Sequence, residues 1–392
     1  MSAHRASNLT HPLRGAVAIA GAAESRLGEV GAGVSPLDLV AAATAAALDD
    51  AGLRKDEIDG LFTASAYYGM PALNVGEALG IRPRYSDSTN LGGASFVSHL
   101  LHAAAAISAR LCDVALIAYA STQRSDGGRL RSVVESDPAE APYRPRYPVT
   151  MFALAAARHM HEYATTREQL AEVAVAARAW ARLHPGAFER GPLRIADVLA
   201  SRMVSSPLTV RDCCLVTDGG GALLVTSTER ARTLRRPAVV LLGAGEAHWQ
   251  RSIAALPDIT TTAATESSAR AYAMAGVRPA DIDVVELYDA FTINTILFLE
   301  DLGFCAKGEG GPFVAGGAIA PGGRLAVNTN GGGLSYTHPG MYGIFLLVEA
   351  VRQLRGEAGA RQQPHVEIAL AHANGGALAA QATAVLGTLA TL

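Results

Sequence analysis

The sequence predicts an α/β protein assembled from two copies of one β-α-β unit, and three observations carry that prediction. Ala51-Gly52-Leu53 followed by Asp56-Glu57-Ile58-Asp59 is matched by Ala275-Gly276-Val277 followed by Ala280-Asp281-Ile282-Asp283. In each case an alanine-rich helical pattern precedes and an apolar run follows. Asn90-Leu91-Gly92-Gly93, ahead of a helical pattern, is echoed by Asn330-Gly331-Gly332-Gly333, and Asp113-Val114-Ala115-Leu116 by Val366-Glu367-Ile368-Ala369-Leu370. Three matches in the same order mark a duplication. Two copies imply two similar sheets with helices between and outside them.

Taken in order, Ala16-Val17-Ala18-Ile19-Ala20 reads as a first buried strand. With Arg5 and Arg14 ahead of it, this stretch faintly mimics a secretory signal, but alanine and glycine make it weakly hydrophobic. Ser35 with Pro36 behind it predicts a capped helix through Leu48 that stops at Gly52. Phe96 to Arg110 predicts a long helix so rich in alanine that it should be buried, followed by a central strand from Asp113. From about 121 to 207 arginines, prolines and tyrosines precede helical patterns between Met151 and Arg182, which suggests an inserted loop domain. The expected division is 1–120 for the first part of the N-terminal half, 121–207 for the insertion, 208–235 for the half's final strands and 236–392 for the C-terminal half.

Composition sets the limits. The 392 residues are 49% hydrophobic and 18% charged, enough for a large core and unlike a disordered chain. A net charge of -3 without a basic stripe gives no footprint for nucleic acid. Four cysteines without metal-ligand spacing suit a reducing cytoplasm. No apolar run approaches the roughly 18 residues of a membrane span.

The stretch with chemistry in it runs from Asn328 to Gly343. It packs glycines, two tyrosines and a histidine between an apolar run and a renewed helical pattern. Glycine lets main chain approach a neighbour closely, and Pro339 biases His338 away from helical backbone. Strand, Gly-rich turn and helix make an active-site loop, although a plain connector with a solvated histidine has the same composition.

The duplicated halves, the Asp218-Gly219-Gly220-Gly221-Ala222 turn, the Glu286-Leu287-Tyr288-Asp289-Ala290-Phe291 segment and the His338-Pro339 loop together resemble the thiolase superfamily. The similarity is greatest to its branch of sterol carrier protein thiolases and lipid-transfer-protein-like aldolases. It implies two βαβαβαββ halves forming an αβαβα five-layered core, a homodimer, and a CoA thioester as substrate with no other cofactor and no metal. It also implies a small partner protein with an OB fold and a zinc ribbon, giving a heterotetramer.

Departures from the family pattern direct the chemistry. Where a thiolase carries its nucleophilic cysteine this chain has Gly93, and the second cysteine's turn reads Ala373-Asn374-Gly375-Gly376. Without sulfur at either place, covalent acyl transfer should be absent. His338 matches the histidine that stabilises the enolate, and Tyr288 stands where the family has an Asn or His that helps hold the thioester oxygen's other donor. The expected catalytic groups are Tyr288, Tyr336 and His338, with Tyr342 as the competitor for the second phenol. Gly93, Asn330, Gly332, His372 and Gly375 are the expected substrate-binding positions. The implied reaction is retro-aldol cleavage of a β-hydroxyacyl-CoA, a steroid side chain being one candidate. Two rivals stand beside it: an acyltransferase or condensing enzyme without a covalent intermediate, and a non-catalytic acyl-CoA- or lipid-binding protein.

Overall fold

A computed structural model describes residues 11–127 and 138–392, so Arg5 and part of the expected insertion lie outside the described residues. The first half supplies β1 (Val17–Glu24), α1 (Pro36–Ala51), β2 (Gly60–Thr63), α2 (Pro71–Leu79), β3 (Tyr85–Asp87), α3 (Ser95–Ser108) and β4 (Val114–Ser121). Next come α4 (Val149–Tyr163), α5 (Arg167–Leu183), α6 (Ile195–Leu199) and the small ribbon β5 (Met203–Ser205) and β6 (Leu208–Thr209). β7 (Gly219–Ser227) and α7 (Thr228–Ala231) follow. The second half holds β8 (Val239–His248), α8 (Ala264–Ala275), β9 (Val284–Leu287), α9 (Thr292–Asp301) and α10 (Gly310–Val314). It closes with β10 (Ala326–Val327), α11 (Gly343–Arg355), β11 (Ile368–Gly375) and β12 (Ala380–Gly387).

The strand order is β10-β9-β11-β12-β8-β1-β7-β4-β2-β3. Its two wings are topological copies. β1 pairs antiparallel with β7, β7 antiparallel with β4, and β4 and β3 flank β2 in parallel. β8, β12, β11, β9 and β10 repeat that pattern. The two sheets expected from the duplication are therefore present, but joined edge to edge rather than separate. The join is slight, Ala18 opposite Val240 and Ile19 opposite Val239.

What fixes the halves against each other is the helix layer between them. α3 packs on strands of both wings (β2, β4 and β7; β11 and β12), and α11 packs on β9, β11, β1, β7 and α3. α1 covers the outside of the first wing and α8 the outside of the second. The alanines of α3 serve this position: Ala103, Ala104 and Ala106 are buried with Phe96, Val97 and Leu100, and their small size lets helix and sheets approach. α1 begins where Ser35 accepts from the Asp38 amide while Asp38 caps back, and ends at Gly52 in the left-handed conformation. α4 and α5 lie over one end of the second wing. The buried His159 of α4 is 3.0 Å from Glu300 of α9, and α5 packs against the Gly332–Tyr336 turn. No helix among the described residues is long and apolar enough to cross a membrane.

Candidate active site

The site forms where the turn opening α3 meets the loops after β9 and β10, with α11 beginning behind it. β9 ends at Leu287 and places Tyr288 and Asp289 at its tip, both buried. The Tyr288 amide is tied to the His372 carbonyl of β11 at 3.0 Å, which fixes the start of the side chain. Its hydroxyl lies 3.1 Å from His338 Nε2 and 3.1 Å from the Gly340 carbonyl oxygen, and it accepts from the Tyr342 amide at 3.2 Å. The phenol proton thus has two acceptors in reach.

The loop that carries His338 is held from three sides. The His338 amide donates to Thr217 Oγ1 at 2.9 Å, and Thr217 in turn pairs with Thr337 at 2.7 Å. Tyr119, at the centre of β4, donates its hydroxyl to the Pro339 carbonyl and accepts from the Met341 amide. Gly340 adopts φ +92°, and a Cβ there would meet Gln123 Nε2 at 2.2 Å, so only glycine permits this reversal. Burial lowers the His338 imidazole to about 4 and raises the Tyr288 phenol well above its ordinary range. Both groups are accordingly neutral at pH 7, and Nδ1 of His338 is buried with no partner.

Gly93 meets this pair directly. A Cβ at position 93 would lie 2.1 Å from Tyr288 Cε2 and 2.6 Å from the Asn374 carbonyl oxygen. The phenol ring fills the space a side chain here would occupy. Gly375 is equally constrained, since its Cβ would meet the Leu91 carbonyl oxygen at 1.6 Å. No side chain can project from either place, and the second cysteine's own position holds Ala373. Cys214 lies near enough to Tyr288 that a charge on one disfavours a charge on the other, but burial keeps its thiol protonated, well above the ordinary value.

Two of the expected residues lie elsewhere. Tyr336 is buried, but its hydroxyl donates to Glu24 Oε2 at 2.7 Å, and Arg352 closes an ion pair with that carboxylate at 2.7 Å. The geometry gives Tyr336 a tethering part, between the Gly-rich turn and β1. It is Tyr342 that comes to the imidazole, its ring stacked on His338 with centroids 6.1 Å apart and edge-on to Tyr288 at 5.8 Å. His372 also departs from expectation. Its ring is closed between Thr383 Oγ1 at 2.9 Å and Gln381 Oε1 at 3.1 Å and rests on Phe298. It therefore supports the β11–β12 hairpin instead of lining the reaction centre.

Asn330 orients Tyr342. Its Oδ1 accepts from the Tyr342 hydroxyl at 2.9 Å and from the Gly332 amide at 2.8 Å, while its Nδ2 is buried without a partner. Gly332, at φ +64°, makes room for a carboxylate: its Cβ would fall 2.0 Å from Asp289 Oδ2. Asp289 went unnoticed in the sequence although it stands next to Tyr288. It accepts from the Gly333 and Leu334 amides at 2.6 and 3.4 Å, and burial raises it to about 7. The clue was available, since an acidic residue inside an apolar run needs donors and a glycine-rich turn has free amides. Asp218 fixes its own turn by accepting from the Val30, Arg124 and Ser125 amides.

Residues 245–388 match the family model described as "Thiolase C-terminal domain-like". Among solved structures, one described as "Ltp2-ChsH2(DUF35) aldolase" superposes with a TM-score of 0.88 at 33% identity, over 96% of this chain and 98% of that one. Fold and site together define a thiolase-type scaffold with a phenol and an imidazole where sulfur chemistry would be. The chain belongs to the thiolase superfamily, in its sterol carrier protein thiolase-like aldolase branch. It is 35% identical to the "Steroid side-chain-cleaving aldolase" of Thermomonospora curvata, over 88% of this chain and 91% of that protein. It is 35% identical to the "17-hydroxy-3-oxo-4-pregnene-20-carboxyl-CoA lyase" of Mycobacterium tuberculosis, over 83% and 88%. A relative named differently, the "Acetyl-CoA acetyltransferase" of Methanothermobacter thermautotrophicus, is 33% identical over 92% and 96%.

Proposed function

We propose that the protein is a carbon–carbon lyase that cleaves a β-hydroxyacyl-CoA by a retro-aldol step. The single observation behind this reading is the 3.1 Å contact between the Tyr288 hydroxyl and His338 Nε2, in a pocket where positions 93 and 373 hold glycine and alanine. A neutral phenol against a neutral imidazole is a proton relay that stores no buried charge at rest. Tyr288 takes the proton of the β-hydroxyl while passing its own to His338 Nε2. The Cα–Cβ bond breaks, the β-carbon becomes a ketone or aldehyde, and the electron pair passes to the thioester as an enolate. The imidazolium so formed faces that enolate and stabilises it. Tyr342, held by Asn330, is the second phenol and supplies the proton that completes the shorter acyl-CoA; the imidazolium's extra proton then passes to the phenolate left at Tyr342 and restores both groups.

The two relatives with steroid names support a steroid side-chain thioester as substrate. A compound hydroxylated at C17 and carrying its CoA thioester on C20 is a β-hydroxyacyl-CoA. Its cleavage by this route leaves a 17-ketosteroid and a three-carbon acyl-CoA. The thioester itself is the only CoA species the reaction requires, with no metal and no further cofactor. The likeness to an aldolase whose description joins two components supports a partner of the small OB-fold, zinc-ribbon type. We place that partner on a homodimer, as a heterotetramer in the cytoplasm.

The acetyltransferase-named relative favours one second reading, condensation or acyl transfer without an acyl-enzyme. Incubating the protein, alone and with a co-encoded small partner, with a panel of β-hydroxyacyl-CoAs and following shorter acyl-CoA by mass separates the two. Release of the ketone in step with the shorter thioester supports the lyase. Product formed only when acyl-CoA and a second acceptor are supplied supports the transferase.

A further inference from the structure

Asp289, at the tip of β9, is a buried carboxylate that the steps above do not use. None of the groups that set its ionisation is a lysine or an arginine. Burial dominates, and against it stand the Gly333 and Leu334 amides, the residue's own backbone and the Asn328 side chain. Asn328 Oδ1 is already held by the Leu287 amide at 2.6 Å, so the end turned to Asp289 is Nδ2. The titratable groups that face it are the Tyr288 phenol beside it, the Tyr342 phenol at the start of α11 and the Cys214 thiol on the segment before β7. Burial keeps all three protonated and neutral. Several donors are thus aimed at a carboxylate to which no resident cation is matched, and burying an unmatched charge is costly.

The group that can become a cation lies just across the turn. The point where a Cβ on Gly333 would stand is 3.1 Å from His338 Cδ2 and 3.2 Å from Asp289 Oδ1. Carboxylate and imidazole edge therefore border the volume of one absent methyl group. The Gly333 amide is also the shorter of the two turn contacts Asp289 accepts, at 2.6 Å, so the main chain resting on the ring is the main chain the carboxylate holds.

We propose that Asp289 is a positioning residue for His338, its carboxylate serving as the counter-charge to the imidazolium formed when Tyr288 hands over its proton. The assignment rests on the lyase reading above, which supplies that imidazolium. Asp289 neither gives nor takes a proton in the step: the proton passes from the Tyr288 hydroxyl to His338 Nε2, and the carboxylate completes an ion pair that does not exist at rest. Its charge therefore acts on the transition state more than on the ground state. Burial sets Asp289 at about 7, so the counter-charge is present above that pH and absent below it.

The test uses the full chain with its partner. Asp289→Asn keeps the shape and an oxygen for the Gly333 amide while removing the charge. KM and Tm should stay near the parent's, whereas kcat for a β-hydroxyacyl-CoA should fall about 10- to 100-fold, the effect of one unit charge at such a separation in a buried site. In the parent kcat should rise with pH through about 7. Its low-pH plateau should match the variant's, which should show no such limb. In a His338→Ala background, where no imidazolium forms, the same asparagine should cost less than about threefold. A residue that only props the turn would lower stability, and lower kcat at every pH and additively with His338→Ala; that pattern overturns the assignment. Exchange of the α-protons of propanoyl-CoA in D2O, followed by mass, calls on the same imidazolium without carbon–carbon cleavage. If the parent catalyses the exchange and Asp289→Asn slows it to the same degree, yet no β-hydroxyacyl-CoA is cleaved, the lyase reading fails and the role of Asp289 stands. If the parent cleaves and the variant keeps its kcat and its pH limb, the role of Asp289 fails and the lyase reading stands. Neither cleavage nor exchange overturns both.

Discussion

The ring of Tyr288 occupies the volume into which any side chain at position 93 would project, with Cε2 only 2.1 Å from where a Cβ would be. Glycine at 93 and tyrosine at 288 are therefore one structural choice. Gly93→Ala should expel the ring, cost about 1–3 kcal/mol through overpacking, and lower kcat by about 100-fold or more as the phenol leaves His338. In a Tyr288→Asn background the same alanine should cost visibly less stability, leaving only the conflict with the Asn374 carbonyl. A urea-denaturation double-mutant cycle reads the coupling; strictly additive losses contradict the packing argument.

Tyr288→Phe keeps the ring and removes the relay. The Tyr342 amide and His338 Nε2 lose their shared partner, and kcat should fall by about 10²- to 10⁴-fold with the fold retained. His338→Ala should cost a similar factor, and the double variant little more than either alone, because the two groups act as a unit. Steady-state kinetics on a cleaved β-hydroxyacyl-CoA checks this, and full activity in Tyr288→Phe excludes the mechanism.

Tyr342→Phe and Tyr336→Phe should behave differently. The first removes the hydroxyl that donates to Asn330 and is assigned the proton donated to the enolate, and it should lower kcat about 100-fold with KM little changed. The second removes a buried hydrogen bond to the Glu24 carboxylate. It should cost about 1.5–3 kcal/mol of stability while kcat stays within a few-fold. Thermal melts beside kinetics distinguish them, and the reverse pattern restores Tyr336 to the chemistry.

His338 should contribute no inflection to the pH dependence of kcat between pH 6 and 7, whereas Asp289, raised by burial to about 7, is a group of the site that titrates there. His338 is lowered to about 4 by burial, so it remains neutral and ready to accept throughout that range. An acidic limb centred near 6.5 that persists in Asp289→Asn would show an imidazole open to water.

Stability should carry a separate signature from His102. Its ring bridges Asp87 at 2.7 Å and Glu246 at 3.3 Å, and first the Asp87 bond, then Glu246, raises it to about 9. A group with a raised folded pKa contributes stability that is fully present below its unfolded value, about 6.5, and is lost as pH rises through 9. The parent should thus exceed His102→Gln by on the order of 1–2 kcal/mol below pH 6.5, after discounting for solvent screening. The two should converge toward pH 9 and above. Urea midpoints across that range measure it.

Much of the architecture could be read before any coordinates. The ends of α1 are written in Ser35, Pro36 and Gly52, because caps are local chemistry. The repeated motifs foretold two wings of like topology, since each motif marks the same junction in its copy. What could not be read was the edge-to-edge join of β1 and β8, which depends on only two residue pairs and on helices packed from both sides. In the site, Tyr288 and His338 were visible as residues in special segments. Which tyrosine accompanies them was not, because Tyr336 and Tyr342 stand two before and four after the histidine. Extended backbone at Thr337 and the reversal at Gly340 send the first toward β1 and bring the second back. Those dihedral angles are set by Tyr119, Gln123 and Thr217, all distant in sequence. His372 misled for a similar reason: its partners Thr383 and Gln381 lie on the neighbouring strand, where spacing along one strand says nothing.

The tip of β9 has a consequence for how this centre can vary. Tyr288 and Asp289 are consecutive, yet one fits against the glycine turn of the first copy and the other against the corresponding turn of the second. The strand end works as a wedge between two matching notches. A displacement of β9 too small to disturb the sheet would shift the phenol and the imidazole's supporting turn together, so their spacing survives breathing of the scaffold. Substitutions deep along that strand, far from any substrate, would retune both partners at once.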